Sequence, residues 1–157
     1  SIIFYILSVS IYNYSSYIDY KNEERAVIDD KLSIGAYAVY NILGEEFFQT
    51  ATSKNSISLK EDWENIKKLS FYNSHAKLAF IYSSIKLNNK IYLTSSSASQ
   101  EELDEKSELH YFHYYDDAGE GLSKSFESKK IVYENYEDKW GSFRAVHIPI
   151  NLENGHF

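Results

Sequence analysis

The sequence predicts an α+β fold in which a long N-terminal helix and a shorter one precede two antiparallel hairpins. Three observations predict it. Apolar residues recur at helical spacing through Ile28, Leu32, Ala36, Val39 and Leu43. Two strand-like runs, 78–85 and 90–95, flank Asn88-Asn89, and two more, 131–136 and 142–150, meet near Glu137-Asp138. At 157 residues the chain suits one domain with a sizeable core and is short for two, so 1–157 reads as a single domain.

The first helix is expected over 1–44, with Gly44 as its C-terminal stop. Residues 1–18 carry no charge and include Ile2, Ile3, Phe4, Ile6, Leu7, Val9 and Ile11. That is short of the roughly 20 apolar residues a membrane span needs, and the second half is too polar to cross alone. The expectation is the outer end of a transmembrane helix, with Tyr12, Tyr14 and Tyr17 near the headgroups before the charged run from Asp19. The competing reading is a soluble helix packing on its own domain or on a second copy. A basic leader and a small-residue cleavage pattern are both missing, which disfavours a signal peptide. With no Met anywhere, the chain is expected to be a piece of a longer polypeptide.

Ser58 with Glu61 forms a capping box, and Trp63, Ile66 and Leu69 follow at helical spacing, giving a second helix over 58–74. The antiparallel sheet is expected within 77–157. Asn88-Asn89 tolerates the positive backbone angles of a two-residue turn, which pairs Ser84 with Leu93 and Tyr82 with Ser95. Phe80, Tyr82, Leu93 and Ser95 then share one face, with Ala79, Ile81, Ser83, Tyr92 and Thr94 on the other. Residues 96–129 read as a connecting segment, holding a short helix capped by Ser99 and Glu102, the aromatic run 110–115, and one or two helical turns around Leu122 and Phe126. Pro149 sits at a strand end, where a missing donor is tolerable. Asn154-Gly155 is a hairpin signal, so the last central strand is expected to be incomplete.

A net charge of −7, from 16 Lys and Arg against 23 Asp and Glu, argues against a nucleic-acid surface. The 15 Tyr, 9 Phe and 2 Trp predict a core and pocket walls built from rings with polar handles. With no Cys, disulfides, thiol catalysis and Cys-ligated zinc are excluded. His110 and His113, with Asp116 and Asp117 behind them, have a spacing that could serve a divalent metal, but it is common and unspecific. Acidic pairs such as Glu45-Glu46 and Glu101-Glu102 read as solvated faces. No nucleophile elbow or phosphate loop occurs, so no enzymatic activity, catalytic residue, metal or cofactor is expected. The most distinctive run is Asp138-Lys139-Trp140-Gly141-Ser142-Phe143-Arg144, where a flat ring and a bidentate cation could hold a small anion. Its competing reading is a hairpin with Trp140 in the core and Arg144 paired to a surface carboxylate.

Taken with 77–83, 92–97, 115–118 and Ile148-Pro149, that run resembles the single-Cache extracytoplasmic sensor domain, a PAS-like module of bacterial chemoreceptors, sensor histidine kinases and diguanylate cyclases. The resemblance implies a long helix on one face of a central antiparallel sheet, and a small ligand on the other face beneath the connecting segment. It implies a periplasmic location, a flanking transmembrane segment and a ligand of the organic-acid or amino-acid kind. The chain departs from the well-defined amino-acid-binding members, which are double modules, so their ligand motif does not transfer. The expected ligand-binding residues are Tyr82, Ser95, Ser97, Tyr115, Asp117, Trp140 and Arg144, with Arg144 on the anionic end of the ligand. The alternative function is a dimerisation or periplasmic protein-interaction domain without a small ligand; a homodimer fits either.

Overall fold

The computed structural model describes residues 2–105, 111–138 and 141–150, so Trp140, Lys139, His110 and the Asn154-Gly155 turn lie outside the described residues. Helix α1 spans Ile2–Leu43 and ends at Gly44, whose φ of 80° suits a residue without a Cβ. The chain divides into two compact units, 1–31 and 32–157. In the first unit, the described side chains are almost all exposed, among them Ile11, Tyr12, Tyr14 and Tyr17. Among the described residues no helix is long and apolar enough to cross a membrane.

The second unit is a mixed α+β structure. Beyond Gly44 comes a helix absent from the sequence reading, α2 (Glu45–Thr50), whose Phe47 is buried with Ala51 and Ile57. Helix α3 (Leu59–Ala76) starts where the capping box places it: the Ser58 side chain accepts the Glu61 N–H. It ends at Lys77, which adopts the left-handed conformation at φ 53° and returns its N–H to the Asn73 carbonyl. Leu69 of α3, Val39 of α1 and Ile81 form the main apolar cluster. Burying such side chains contributes roughly 1.5–3 kcal/mol each, so this seam largely holds α3 and the end of α1 to the strands.

Strands β1 (Tyr82–Leu87) and β2 (Lys90–Ser96) form the first hairpin around Asn88 and Asn89, whose φ values of 48° and 63° are those of a tight turn. The register keeps Ser84 opposite Leu93 but sets Tyr82 opposite Ser96 rather than Ser95. The cause is a bulge at Ser83/Ser84, where β2 carries one residue more than β1. The bulge puts Ser95 opposite Ser83, on the face of Ile81, and Ser96 opposite Tyr82, correcting the expected facing. After the short helix α4 (Gln100–Glu105), the presumed connector supplies a two-residue strand, β3 (His113–Tyr114), antiparallel to β2. Helix α5 (Glu120–Ser128) then leads to β4 (Val132–Asp138) and β5 (Gly141–His147).

The strands make two sheets, β1-β2-β3 and β4-β5, where one central sheet was expected. Among the described residues there are thus five strands, but the one beyond the four expected is the short β3 at the far edge of β2, inside the segment that the sequence leaves as a connector. Both sheets are antiparallel. Their register sorts the residues by face. Ile81 and Ser83 lie on the side of α1 and α3, as does Tyr133, whose hydroxyl meets the Ser33 hydroxyl of α1 at 2.8 Å. Tyr82 lies on the other side of β1, with Lys86, whose ammonium meets Glu127 of α5 at 3.2 Å.

Candidate functional site

A buried histidine–carboxylate pair beside a cavity lies on the α5 side, built from β1, β4, β5 and the start of α5. Pairing sets Glu134 opposite Ala145 and Val132 opposite His147, so Glu134, Tyr136 and His147 share one face of the second hairpin. His147 is 7% exposed, and its Nε2 lies 2.7 Å from Glu134 Oε1. An ionised carboxylate only accepts, so Nε2 carries the proton of that bond. The other Glu134 oxygen, Oε2, accepts the Gly121 N–H at 2.7 Å. Gly119 and Gly121 have no side chain because there is no room for one: a Cβ on either would sit 2.5 Å from the Glu134 carboxyl group. The carboxylate is therefore seated in a two-glycine cradle at the entry to α5.

Across from it stands Tyr82, whose hydroxyl is 3.5 Å from His147 Nδ1, at the outer limit of a hydrogen bond. Burial pushes the Tyr82 hydroxyl well above its ordinary pKa, with smaller contributions from Tyr115, Tyr136 and Glu134. The phenol is thus a neutral donor. Its ring meets Tyr115 edge-on at 5.7 Å and Phe80 at 5.4 Å. Ser125 closes the far side, donating to the Lys130 and His147 carbonyls.

A cavity of about 440 Å³ opens beside these groups. Tyr82, His147 and Ser125 are among its polar walls, while Val39, Ile81, Leu122 and Phe126 supply apolar ones. It runs between β1 and the end of β5, from the α1 side to the α5 side. Its size falls in the range of roughly 300–1,000 Å³ usual for small-ligand sites.

Of the residues expected to bind a ligand, the structure brings Tyr82 and Tyr115 together and disperses the others. Ser95 is wholly buried on the opposite side of β1-β2, its hydroxyl without a partner among the described residues. Ser97 is taken up in the fold, accepting the Ile81 N–H at 3.2 Å and the Asn73 amide at 3.4 Å. Asp117 is exposed in a turn. Trp140 lies outside the described residues. Arg144 pairs opposite Asn135, on the face away from Glu134 and His147; it donates to Asn135 Oδ1 at 3.2 Å and lies 5.5 Å over the Tyr133 ring. Facing alternates along a strand, so Arg144 and His147 cannot reach the same side of this hairpin. Glu134 and His147 were missed, and their only signal was a pair of ionisable residues in adjoining strand-like runs.

Among the described residues, no group of three or more His, Asp or Glu side chains is placed to hold a metal ion, and His113 is exposed on β3. Comparison with family models, with curated proteins and with solved structures finds no match for this chain. Its class rests on the architecture itself: an α+β protein with a long N-terminal helix and two small antiparallel sheets.

Proposed function

We propose that this chain is an extracytoplasmic ligand-sensing domain of a transmembrane signalling receptor, with a PAS-like or Cache arrangement, and that it binds a small organic acid or amino acid. The observation that carries the reading is the polar end of the cavity, where Tyr82 and the Glu134-held imidazole of His147 face a common space among apolar walls. A buried neutral phenol is a directed donor for a carboxylate or carbonyl oxygen, and the apolar walls strengthen that bond by excluding water. The Tyr82 hydroxyl, beside His147, takes the role that the sequence reading gave to Arg144. Ligand binding would signal by favouring one of two arrangements of the sheet against the 32–43 part of α1, which it touches through Val39–Ile81 and Ser33–Tyr133.

The test is a thermal-shift screen against small carboxylates and amino acids. A ligand at 100 times its Kd stabilises by about 2.7 kcal/mol through mass action. Tyr82→Phe should remove the shift and Arg144→Ala should retain it. The reverse pattern would place the site on the other face, and no shift with any acid would turn attention to the second reading. That reading is a protein-interaction or dimerisation domain, favoured by the apolar and tyrosyl side chains that α1 exposes at Ile11, Tyr12, Tyr14, Tyr17 and Val27. Chain association lost on Ile11→Asp would support it.

A further inference from the structure

We propose that the cavity takes a monocarboxylic acid with an apolar tail, and takes it together with one proton, shared between the ligand's carboxyl group and Nδ1 of His147. The inference rests on the ligand-sensing reading and narrows it. The observation that carries it is the charge of the walls. Among the described residues that line the cavity none is Lys, Arg, Asp or Glu, and His147 is the one whose side chain can become a cation. A bare carboxylate placed there gives up its water and meets no fixed positive charge, which is costly. The nearest charge has the wrong sign: the Glu134 carboxylate stands behind the imidazole, its oxygens taken by His147 Nε2–H and Gly121 N–H at 2.7 Å each. The other ionisable groups about His147 bring no free cation. Tyr82, Tyr115 and Tyr136 are phenols, and Arg144 lies on the opposite face of β5. Lys86 of β1 is held by Glu127 of α5, Lys124 of α5 is held by Glu120, and none of these four lines the cavity.

The tautomer shows where the proton goes. With Nε2–H committed to Glu134, the neutral imidazole offers the cavity a lone pair at Nδ1, and Tyr82, 3.5 Å from it, offers one O–H. A carboxylate accepts from Tyr82 but has nothing to give Nδ1, so two lone pairs would face each other. One proton from solvent resolves this. The carboxylate and the proton enter together, one carboxyl oxygen accepts the Tyr82 hydrogen, and the other shares the added proton with Nδ1. On nitrogen or on oxygen, that proton leaves the complex with one more than the separate partners, and the cavity gains no net charge. The remaining walls select the tail. Val39, Phe48, Ile81, Leu122 and Phe126 are apolar, and the Ser83 and Thr94 hydroxyls among them bond to each other at 2.8 Å. An amino acid would bring an ammonium group with no carboxylate on any described wall to receive it, and a dicarboxylate would bring a second uncompensated charge.

The test is calorimetric titration of the full chain with butyrate, hexanoate, hexanamide, norleucine and adipate, in buffers of different ionisation enthalpy. Hexanoate should take up close to one proton on binding at about pH 8, where an ordinary imidazole and an ordinary carboxylic acid are both deprotonated, and should weaken about tenfold per pH unit above that. Hexanamide already has a carbonyl for Tyr82 and an N–H for Nδ1, so it should bind with no proton uptake and no such pH dependence. Butyrate, shorter by two methylenes, should bind about tenfold more weakly than hexanoate. Norleucine and adipate should be weaker than hexanoate by about a hundredfold or more. Hexanoate that binds without proton uptake and independently of pH overturns the proposal and leaves the acid-sensing reading in place, as does norleucine or adipate binding more tightly than hexanoate. Absence of binding by every acid, or hexanoate binding unchanged in Tyr82→Phe, overturns both.

Discussion

Replacing Asp62 by Asn should flatten much of the fall in stability between about pH 4 and pH 8. Asp62 is 1% exposed on α3, and among the described residues neither of its carboxylate oxygens has a partner in good hydrogen-bond geometry, the Tyr111 backbone coming nearest to that role. Burial pushes its pKa from the ordinary 3.8 up to about 6, the nearby backbone of Tyr111 offsetting only part of the rise. Below its unfolded pKa the group is protonated in both states and imposes no penalty. As the pH climbs through about 6, the unfolded chain has already ionised Asp62 freely in water, while the folded chain must do so in an apolar setting. Stability therefore falls over that window and then levels off. A shift of about two units at 1.36 kcal/mol each is about 3 kcal/mol, a large part of the roughly 5–15 kcal/mol that holds a domain together. The assay is urea unfolding at pH steps across the window for both proteins. The buried Asn amide brings its own constant offset, so the readout is the change in the difference, expected at about 2–3 kcal/mol in favour of Asn at the alkaline end. Parallel curves would refute the assignment of a buried, uncompensated carboxyl.

Other substitutions probe the remaining links. Gly121→Ala puts a methyl group against the Glu134 carboxyl and forces it from His147, which should cost about 1–3 kcal/mol by chemical denaturation. Glu134→Ala, which leaves the imidazole unpaired, should cost a similar amount, and the double variant should cost less than the sum because both act on one contact. Ser58→Ala removes the cap of α3 and should cost about 1 kcal/mol, with α3 amides near Glu61 exchanging faster. Tyr82→Phe should leave unliganded stability within about 1 kcal/mol of wild type, since its 3.5 Å contact with His147 is weak, while removing any acid-induced shift.

Features governed by local chemistry were legible in the sequence. Gly44 stops α1, Ser58 and Glu61 start α3, and Asn88-Asn89 turns the first hairpin, because in each case the determining atoms lie within four residues of one another. The bulge was not legible. In Leu93-Thr94-Ser95-Ser96-Ser97 three successive serines offer no polarity contrast, so alternation cannot tell one face from the other. Two residues at β3 are too few to carry any period. Arg144 was chosen for its chemistry, but its direction is set by the residue opposite, Asn135, and by the Tyr133 ring. The Glu134–His147 contact joins two strands through side chains 13 positions apart, and nothing within either strand marks it. Tyr82 was a candidate through its expected pairing with Ser95, and Tyr115 through the connecting segment that crosses that face; the pairing slips at the bulge, but Tyr82 and Tyr115 still meet, ring to ring.

The bulge in the first hairpin also bears on how this chain can change length. Removing one residue from a strand ordinarily reverses the facing of everything beyond it and is among the least tolerated changes. Here β2 already holds one residue in excess, so loss of Thr94 would let the ladder run on regularly, with Ser95 still opposite Ser83 and Ser96 still opposite Tyr82. The hydroxyl contact between Ser83 and Thr94 at 2.8 Å would be its main casualty. A single-residue deletion between Tyr92 and Ser96 should therefore be survivable, while the same deletion between Val132 and Asp138, where seven pairs run without a slip, should not be.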